Sequence, residues 1–416
     1  MSSDDEFGIP SSKSAISSKS KSKRKSKSKM TSPSFLDDTP ETYTLILPDE
    51  VIEIMQKIIS SNNDHEPSIS RVASFDIGEK NLAFVVEEYD SAALQKLKTL
   101  SFFKNLYSKR KKKTLNLDDS EIQLLLATPN LQRRFLYSTS TRIYTGVYVL
   151  SDFHEFPQVE ASDVAAVSDG VSSDAVDDSK NWWTGEYYNF ETEEVPMELE
   201  LLNLLRKWEW LWETCTEVII ERQFISTAGQ AKPNFKAIAV AQSLKMYFHS
   251  LFGPSKRVSF VPSTWKTRDL GMKMKLNKPQ RKKWCTQHAR KIYNLREDKG
   301  ACMIFAAEDF AYRKSLNTVN KKVKKLRDFL SSNPDLPSEY TKPLTEIYAL
   351  SEDQDPNGDF DVDIYCAIED QLNTTEFLQN DITRLVVQIF FYRQKLDDIS
   401  DSLCQLQAWK HRKYFC

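Results

Sequence analysis

The stretch Ala73-Ser-Phe-Asp-Ile-Gly78 constrains the fold most strongly, because it carries one acid near the end of a largely apolar run. A second apolar run follows over residues 81–87, so the two predict buried strands joined by a tight turn at Gly78. A carboxylate at the end of a buried strand is costly unless something neutralises it. Asp76 is therefore a candidate functional residue whose partners must come from elsewhere in the chain.

Two further segments carry acids in comparable settings. Glu221 closes the apolar run in Val218-Ile-Ile-Glu-Arg-Gln223, which predicts another buried strand that ends in a carboxylate. In Lys395-Leu-Asp-Asp-Ile-Ser-Asp401, Asp398 and Asp401 are three residues apart and would share one face of a helix. The alternative for this last pair is a capping cluster, because acids in a first helical turn are favoured by the helix dipole.

Carboxylates gathered from such distant segments need a cation between them, because like charges held close together repel. Mg²⁺ and Mn²⁺ prefer hard oxygen ligands and keep positions for water and substrate phosphate. Two such ions about 4 Å apart can activate a water and stabilise the leaving oxygen in phosphodiester cleavage. The pattern therefore indicates a site for phosphate chemistry with two divalent ions.

The net charge of −2 hides a strong segregation of charge along the chain. Residues 256–296 contain 13 Lys or Arg and one acid, whereas residues 152–200 contain 14 Asp or Glu and one Lys. A basic segment of this kind is typical of a surface that contacts phosphate backbones, and such binding weakens steeply with salt.

The apolar runs, the N-terminus, the cysteines and the length limit which class of protein this can be. No apolar run approaches the ~18 residues that a membrane span needs, and the N-terminus has no apolar core of a secretory signal. The six cysteines are scattered without CxxC pairs, as a reducing compartment permits. We therefore expect an intracellular protein without a membrane partner. Its 416 residues allow two or three domains, or one domain with large insertions.

The organisation along the chain follows from composition and periodicity. Residues 1–40 are Ser/Lys-rich and predict a disordered tail, suited to nuclear targeting or to a nonspecific grip on nucleic acid. Residues 41–67 predict a short helical addition, and residues 68–416 predict the main domain. That domain is expected to carry an acidic insertion at about 152–195 and an irregular insertion at about 331–372.

Within the main domain the predicted order is strand, strand, strand, helix, strand, helix, strand, helix. A third strand is predicted at 145–151, and a helix with a packed aromatic stripe opens at Pro196 and continues through Trp208 and Trp212. Further elements are a helix at 234–252, a strand at 258–262, and helices at 279–295, within 301–330, at 374–394 and at 398–413. This order predicts an α/β fold with a mixed sheet, helices on both faces and catalytic residues at strand ends.

The three acid-bearing motifs, Asp76-Ile-Gly78, Ile220-Glu-Arg-Gln223 and Asp397-Asp-x-x-Asp401, resemble in sequence and order those of RuvC-type Holliday junction resolvases. The branch from poxviruses, related large DNA viruses and fungal mitochondria is the most similar. The resemblance covers about residues 68–90, 215–295 and 385–410. It implies an RNase H-like mixed five-stranded sheet flanked by helices, and a homodimer in the nucleus or at a cytoplasmic site of viral replication. The implied activity is paired, Mg²⁺-dependent nicking of four-way DNA junctions in recombination, repair or replication.

The resemblance also implies roles for individual residues. Asp76, Glu221, Asp398 and Asp401 would bind the metal ions, with Mn²⁺ able to substitute for Mg²⁺, and Lys266 would assist at the phosphate. The residues implied in DNA contact are Arg222, Gln223, Lys273, Lys275, Lys278, Arg281, Lys282 and Lys283. The chain departs from the family in being much longer, and helical phase alone favours Asp398 over Asp397 as the ligand.

Other functions fit parts of the pattern. An actin-like sugar kinase or ATPase also has a first strand ending Asp-x-Gly, but it needs Gly-rich phosphate loops, which this sequence of 10 glycines does not show. A noncatalytic DNA-binding or structural protein on the same fold is a second alternative. A third is a nuclease acting on RNA/DNA hybrids or flaps. Cys285-x-x-His288 with Cys302 would suggest zinc, but a fourth ligand at suitable spacing is missing.

Overall fold

In a computed structural model of the protein, the strand that carries Asp76 lies at the centre of a five-stranded sheet. The structure describes residues 47–60, 68–78, 81–99, 117–128, 130–149, 197–223, 234–272, 276–311, 319–349, 380–392 and 394–416, with single positions 45, 368, 370, 371 and 374. The predicted tail at 1–40 and the acidic insertion at 152–195 lie outside these residues.

The sheet is mixed, as predicted. Its strands are β1 (Ile69–Ile77), β2 (Asn81–Asp90), β3 (Ser140–Val149), β4 (Glu217–Arg222) and β5 (Arg257–Pro262). They lie in the order β3-β2-β1-β4-β5. The pairs β1/β2 and β2/β3 are antiparallel, whereas β1/β4 and β4/β5 are parallel. The apolar runs at 71–77 and 81–87 thus form the expected hairpin, and the α/β class is confirmed.

Helices flank the sheet on both faces. In chain order they are α1 (Asp49–Ser60), α2 (Ser91–Thr99), α3 (Asp119–Ala127), α4 (Leu131–Ser138), α5 (Met197–Lys207), α6 (Glu209–Thr214), α7 (Phe235–Phe252), α8 (Trp265–Arg268), α9 (Lys278–Leu295), α10 (Lys299–Ala311), α11 (Val319–Ser332), α12 (Ser338–Ala349), α13 (Asp381–Tyr392) and α14 (Asp397–Phe415). Among the described residues, no helix combines the length and the apolar character that crossing a membrane would require.

One face of the sheet is covered by an aromatic core. Successive residues of a strand point to opposite faces, and Phe75 of β1 points to this one. Its ring centroid lies 5.7, 5.4 and 5.8 Å from those of Phe84, Trp212 and Phe248. The prediction that the aromatic stripe after Pro196 belongs to the core is confirmed, because Trp208 and Trp212 are buried.

The opposite face of β1 and β2 is covered by α14, which is held in register by buried polar side chains. Ser74 Oγ donates a hydrogen bond to the Ser402 carbonyl at 2.9 Å, and Gln405 Nε2 donates to the Phe75 carbonyl at 3.0 Å. Ser402 Oγ donates to the Ala83 carbonyl at 3.2 Å. A buried polar group without a partner is costly, so these bonds favour one position of α14 along the strands. The acids at its N-terminal end are positioned by this register.

The predicted helix from Pro196 through Trp212 is instead two helices, α5 and α6, which meet at Trp208. The carbonyl of Leu205 accepts from the Trp208 backbone N–H at 3.2 Å, from Trp212 Nε1 at 2.9 Å and from the Tyr247 hydroxyl at 3.3 Å. This carbonyl is therefore taken by a tight turn and by side chains, which ends the regular helix. Periodicity alone does not show such tertiary bonds.

The prediction of an irregular insertion at 331–372 is wrong over part of its length. Residues 338–349 form α12, although Pro343 lies inside this helix. A proline inside a helix removes one backbone hydrogen bond and is unfavourable. Leu344 and Ile347 are fully buried against neighbouring helices, so tertiary packing outweighs that cost.

Several boundaries also differ from those predicted. The third strand begins at Ser140 rather than near residue 145, and α13 begins at Asp381 rather than near residue 374. The predicted helical addition contains α1, whose apolar side chains, including Val51 and Met55, belong to the same hydrophobic core as α14. This helix is therefore part of the compact unit Leu45–Cys416.

Candidate active site

The strand register places Asp76 and Glu221 side by side. Phe75 of β1 is paired with Ile220 of the parallel strand β4, and both point into the aromatic core. The next residue of each strand points to the other face, because side chains alternate along a strand. Both carboxylates therefore emerge beneath α14, near the carboxyl ends of two adjacent strands.

The turn after β1 brings Asn81 to the same place. The backbone N–H of Gly78 donates to the Asn81 carbonyl at 2.8 Å, which closes the turn. A Cβ at residue 78 would lie 3.3 Å from that carbonyl oxygen, so the glycine serves close approach of the two chains. Asn81 Nδ2 then donates to Asp398 Oδ2 at 2.9 Å, which ties the hairpin to α14.

The N-terminal end of α14 supplies the remaining acids. Asp398 and Asp401 are buried on the face towards the sheet, whereas the side chain of Asp397 is 23% exposed. The residue that caps the helix is Leu396, which forms no side-chain capping bond. Asp397 and Asp398 lie in the first turn of α14, as the capping alternative expects, but Asp401 is buried one turn further on beside Lys266, which capping does not require. Helical phase favours Asp398 over Asp397 for the interior.

Lys266, on the single turn of α8, joins three of the acids. Its ammonium group bonds to Asp76 Oδ1 and lies 3.2 Å from Glu221 Oε1 and 3.5 Å from Asp401 Oδ2. Lys266 is only 2% exposed, so these interactions occur away from water. We call Asp76, Glu221, Asp401 and Lys266 the acid cluster.

The acid cluster perturbs the pKa of each member. Burial together with Asp76 and Asp401 outweighs Lys266 and raises the pKa of Glu221 to about 8. Burial likewise raises the pKa of Asp401, against the opposing effect of Lys266. For Asp76, Lys266 and a hydrogen bond with Glu221 outweigh burial and lower the pKa. Burial opposes the charge of Lys266, but the three carboxylates hold its pKa well above the usual range. Perturbed groups of this kind concentrate at functional sites.

A second lysine lies beside the acid cluster. Lys282 of α9 bonds through its ammonium group to Asp397, and the same group lies 3.0 Å from Asp398 Oδ1. Its side chain is 33% exposed, so it borders solvent, unlike Lys266. The sequence suggested Lys282 only as one of several DNA-contacting residues, and nothing in its spacing distinguished it from Lys283. Its position at the acids follows from the packing of α9 against α14.

The carboxylates of the site are suitable ligands for a hard divalent cation, but the side chains are not spaced to hold one. Carboxylate oxygens are the ligands that Mg²⁺ and Mn²⁺ prefer, and Asp76, Glu221 and Asp401 offer them at one point. Even so, across the described part of the chain no group of three or more His, Cys, Asp or Glu side chains is spaced to hold a metal ion. The ammonium group of Lys266 instead lies among the three carboxylates of the acid cluster.

The remaining predicted DNA contacts are dispersed around the site. Arg222 is exposed at the end of β4, and Gln223 Nε2 donates to the Ile77 carbonyl at 3.4 Å. On α9, Lys278 and Lys283 are exposed and Arg281 is half-buried. Lys273 and Lys275 lie outside the described residues.

The zinc alternative finds no support in the described residues. His288 is hydrogen-bonded to the Tyr137 hydroxyl at 3.1 Å and stacks on Trp284 with ring centroids 4.6 Å apart. The thiol of Cys302 bonds instead to Asn294 Oδ1 at 3.0 Å, so these side chains do not form a site.

Sequence reasoning missed Asn81 as a contact of Asp398. Its position three residues after Gly78, where the second strand begins, is the one signal that could have suggested this contact. Comparisons of the chain with models of known families, with curated proteins and with solved structures find no match. The chemistry of the site therefore rests on its own residues.

Proposed function

We propose that the protein is a divalent-metal-dependent nuclease of the RNase H-like type that nicks four-way DNA junctions in pairs. The observation that carries this proposal is the acid cluster, in which three acids from distant segments meet at the carboxyl ends of two central strands. Buried acids at strand ends are costly for stability, which favours a functional reason for their presence.

The architecture supports the proposal. A mixed five-stranded sheet flanked by helices is the arrangement that the resemblance implies, and the acids lie on its parallel half, at β1 and β4. Residues at strand ends of such sheets are well placed for ligands, because the scaffold is rigid and the edge is open.

The chain's own residues divide the work between holding ions and holding DNA. Bound divalent ions would activate a water and neutralise charge on the phosphate that is cleaved. Asp76, Glu221, Asp398 and Asp401 would hold these ions. Lys266 would contact the phosphate next to them, since a lysine ammonium is a compact donor for phosphate oxygens.

The exposed lysines of α9 supply a surface for the DNA backbone. Lys278 and Lys283 lie on the helix that also carries Lys282, so phosphates bound there would approach the acids of α14. Contacts with phosphates position a nucleic acid without reading its sequence. A junction, where several backbones converge, suits a surface of this kind.

Purified protein is expected to nick a synthetic four-way junction at paired, symmetric positions in Mg²⁺ or Mn²⁺, and not in EDTA. Binding and cutting are measured on labelled four-way, three-way, flap, RNA/DNA hybrid and linear duplex substrates of matched length. Junction affinity is also expected to fall steeply with salt, because phosphate contacts release counterions.

The outcomes separate the alternatives. Equal cutting of junction and linear duplex would remove the junction assignment and leave a nuclease, and preferred cutting of flaps or hybrids would name another substrate. Junction binding without cutting in either metal would favour a noncatalytic DNA-binding protein on this fold.

A homodimer is part of the proposal, because paired cuts need two active sites. Phe235 and Met246 of α7 are 72% and 62% exposed. They are eleven residues apart, about three helical turns, so they share one face of the helix. Large exposed apolar side chains on one face are typical of an interaction surface, and we assign this face to the second copy.

Met246→Glu is expected to shift the protein from dimer to monomer, because the charge would have to be desolvated in the interface. The mass is measured by light scattering across a concentration series. Lys299→Glu, an exposed change on α10, is the control and should leave the mass unchanged. A wild-type protein that is monomeric at every concentration would remove the homodimer from the proposal.

A further inference from the structure

The position of Lys266 has a consequence for metal binding that rests on the proposed function. We propose that Lys266 is a placeholder for a divalent cation, that is, a positive charge that occupies the site when no metal is bound. Its ammonium group then neutralises Asp76, Glu221 and Asp401, and ion binding displaces it from these carboxylates. The displaced ammonium group is then available to a phosphate oxygen of the substrate.

The geometry of the acid cluster supports this exchange. The Lys266 ammonium group contacts Asp76 and lies within 3.5 Å of Glu221 and Asp401. An ion that joined the same three carboxylates would need oxygens at roughly 2.0–2.6 Å. A monovalent ammonium group and a divalent ion cannot both occupy this space, since their charges repel. Because the ammonium group occupies this space, the acids are spaced around it and, among the described residues, are not spaced to hold a metal ion.

The surroundings allow the ammonium group to leave. Lys266 lies on α8, a helix of one turn that follows β5, and its ammonium group is carried by a flexible stem of four carbons. Lys266 lies against Oδ2 of Asp401, so an ion could also use Oδ1, an oxygen that the ammonium group does not contact. Lys282 lies beside Asp398 and is already near solvent, so it can yield its place without crossing the interior.

Competition between Lys266 and the ion for the carboxylates predicts the direction in which stability and Mn²⁺ affinity change. Replacement of Lys266 by Met leaves three carboxylates without their buried counter-charge, so the metal-free variant is less stable than wild type. The ion then binds without having to displace an ammonium group. Mn²⁺ affinity is therefore expected to rise about tenfold or more, because the ammonium charge is removed from within contact distance of the ion. Mn²⁺ should also raise the melting temperature of Lys266→Met more than that of wild type.

Lys410→Met is the matched control. Lys410 is also fully buried, and it bonds to Glu87 and Ser140 instead of to the acid cluster. This variant is expected to lose stability equally in EDTA and in Mn²⁺, and to bind Mn²⁺ with wild-type affinity. Both variants and wild type are measured by titration calorimetry with MnCl₂ and by thermal unfolding in EDTA and in Mn²⁺.

An unchanged or weaker Mn²⁺ affinity in Lys266→Met would overturn the proposal, as would a loss of stability that Mn²⁺ does not restore. If the variant does not fold, wild-type protein gives a second measurement. Lys266 is expected to react severalfold more with an amine-acylating reagent in Mn²⁺ than in EDTA, whereas Lys410 stays protected in both. Equal protection of Lys266 in both conditions would overturn the proposal.

These measurements need no DNA, so they separate the placeholder from the proposed function. Metal-dependent release of Lys266 in a protein that cuts no junction would support the placeholder and contradict the proposed junction cutting. Junction cutting by a protein in which Lys266 stays protected would do the reverse.

Discussion

Asp76→Asn and Glu221→Gln are each expected to abolish junction cutting, by ~1000-fold or more, while junction binding stays within about threefold of wild type. Each change keeps the shape of the side chain but removes the carboxylate that would hold a divalent ion. Binding depends instead on lysines of α9, which the changes leave in place. Single-turnover cutting rates and gel-shift affinities on one labelled junction provide the measurement.

The same variants are expected to stay folded. In Asp76→Asn, Lys266 keeps its interactions with Glu221 and Asp401, and one like charge is removed from a buried cluster. Thermal unfolding in EDTA should nevertheless show a moderate loss for Asp76→Asn, because the lowered pKa of Asp76 means that its charged form stabilises the fold. Glu221→Gln should show little loss, because the pKa of Glu221 is raised. Cutting at the wild-type rate by either variant would show that the metal-site hypothesis is wrong.

The neighbouring pair Asp397 and Asp398 gives a sharper control. Asp398→Asn should reduce cutting as Asp76→Asn does, because Asp398 is buried and bonded to Asn81. Asp397→Asn should retain most of the activity, because this side chain bonds to Lys282 near solvent. The reverse result would mean that helical phase assigned the wrong aspartate.

Glu87→Gln is expected to lower the free energy of unfolding by about 3–5 kcal/mol, the usual cost of breaking a buried ion pair. Glu87 of β2 is fully buried, and its carboxylate accepts from Arg296 and Lys410 at 2.5 Å each and from Gln407 at 2.7 Å. An amide cannot neutralise these two cations, which would remain buried without a counter-charge. Urea denaturation at pH 7 measures the loss.

The pH dependence of stability gives this prediction a second readout. Burial opposes ionisation of Glu87, but Arg296 and Lys410 outweigh it and lower its pKa from 4.5 to about 2. A lowered folded-state pKa stabilises the fold above the unfolded value, and this contribution is lost as the pH falls from about 4.5 towards 2. Glu87→Gln should therefore show a weaker loss of stability than wild type over that range.

Glu88 provides the control one residue along the same strand. It pairs with Arg71 at 2.6 Å, but both side chains are about a third exposed. Glu88→Gln is expected to cost less than about 1 kcal/mol, because exposed ion pairs contribute little. Equal losses from the two substitutions would contradict a special role for the buried cluster around Glu87.

The comparison of these two neighbours shows how far the sequence could be used. The apolar run at residues 81–87 predicted β2 and located Glu87 at its end. It gave no sign that Glu87 is fully buried with Arg296 and Lys410, which lie more than 200 residues away in the chain. Which acid is buried depends on which cations the distant helices bring to it.

Some elements were predictable because local pattern and tertiary packing agree. The hairpin at 69–90, the strand that ends in Glu221 and the basic helix α9 all follow from local apolar spacing and turn residues. Where the two conflict, packing decided. The long helix ends at Trp208 because side chains compete for a backbone carbonyl, and α12 forms despite Pro343 because its apolar side chains are buried.

For the candidate site, the sequence by itself determined that Asp76 and Glu221 end apolar strands and that Asp398 and Asp401 share a helix face. Those properties depend on periods of two and 3.6 residues, which are local. Only the tertiary structure decided that Asp76, Glu221 and Asp401 meet at the ammonium group of Lys266. It also decided that Lys282 forms ion pairs with Asp397 and Asp398. The hydrogen bond from Asn81 to Asp398 is a third contact of this kind. These are contacts between segments separated by more than 40 residues, and most of them depend on how α14 packs across β1 and β2.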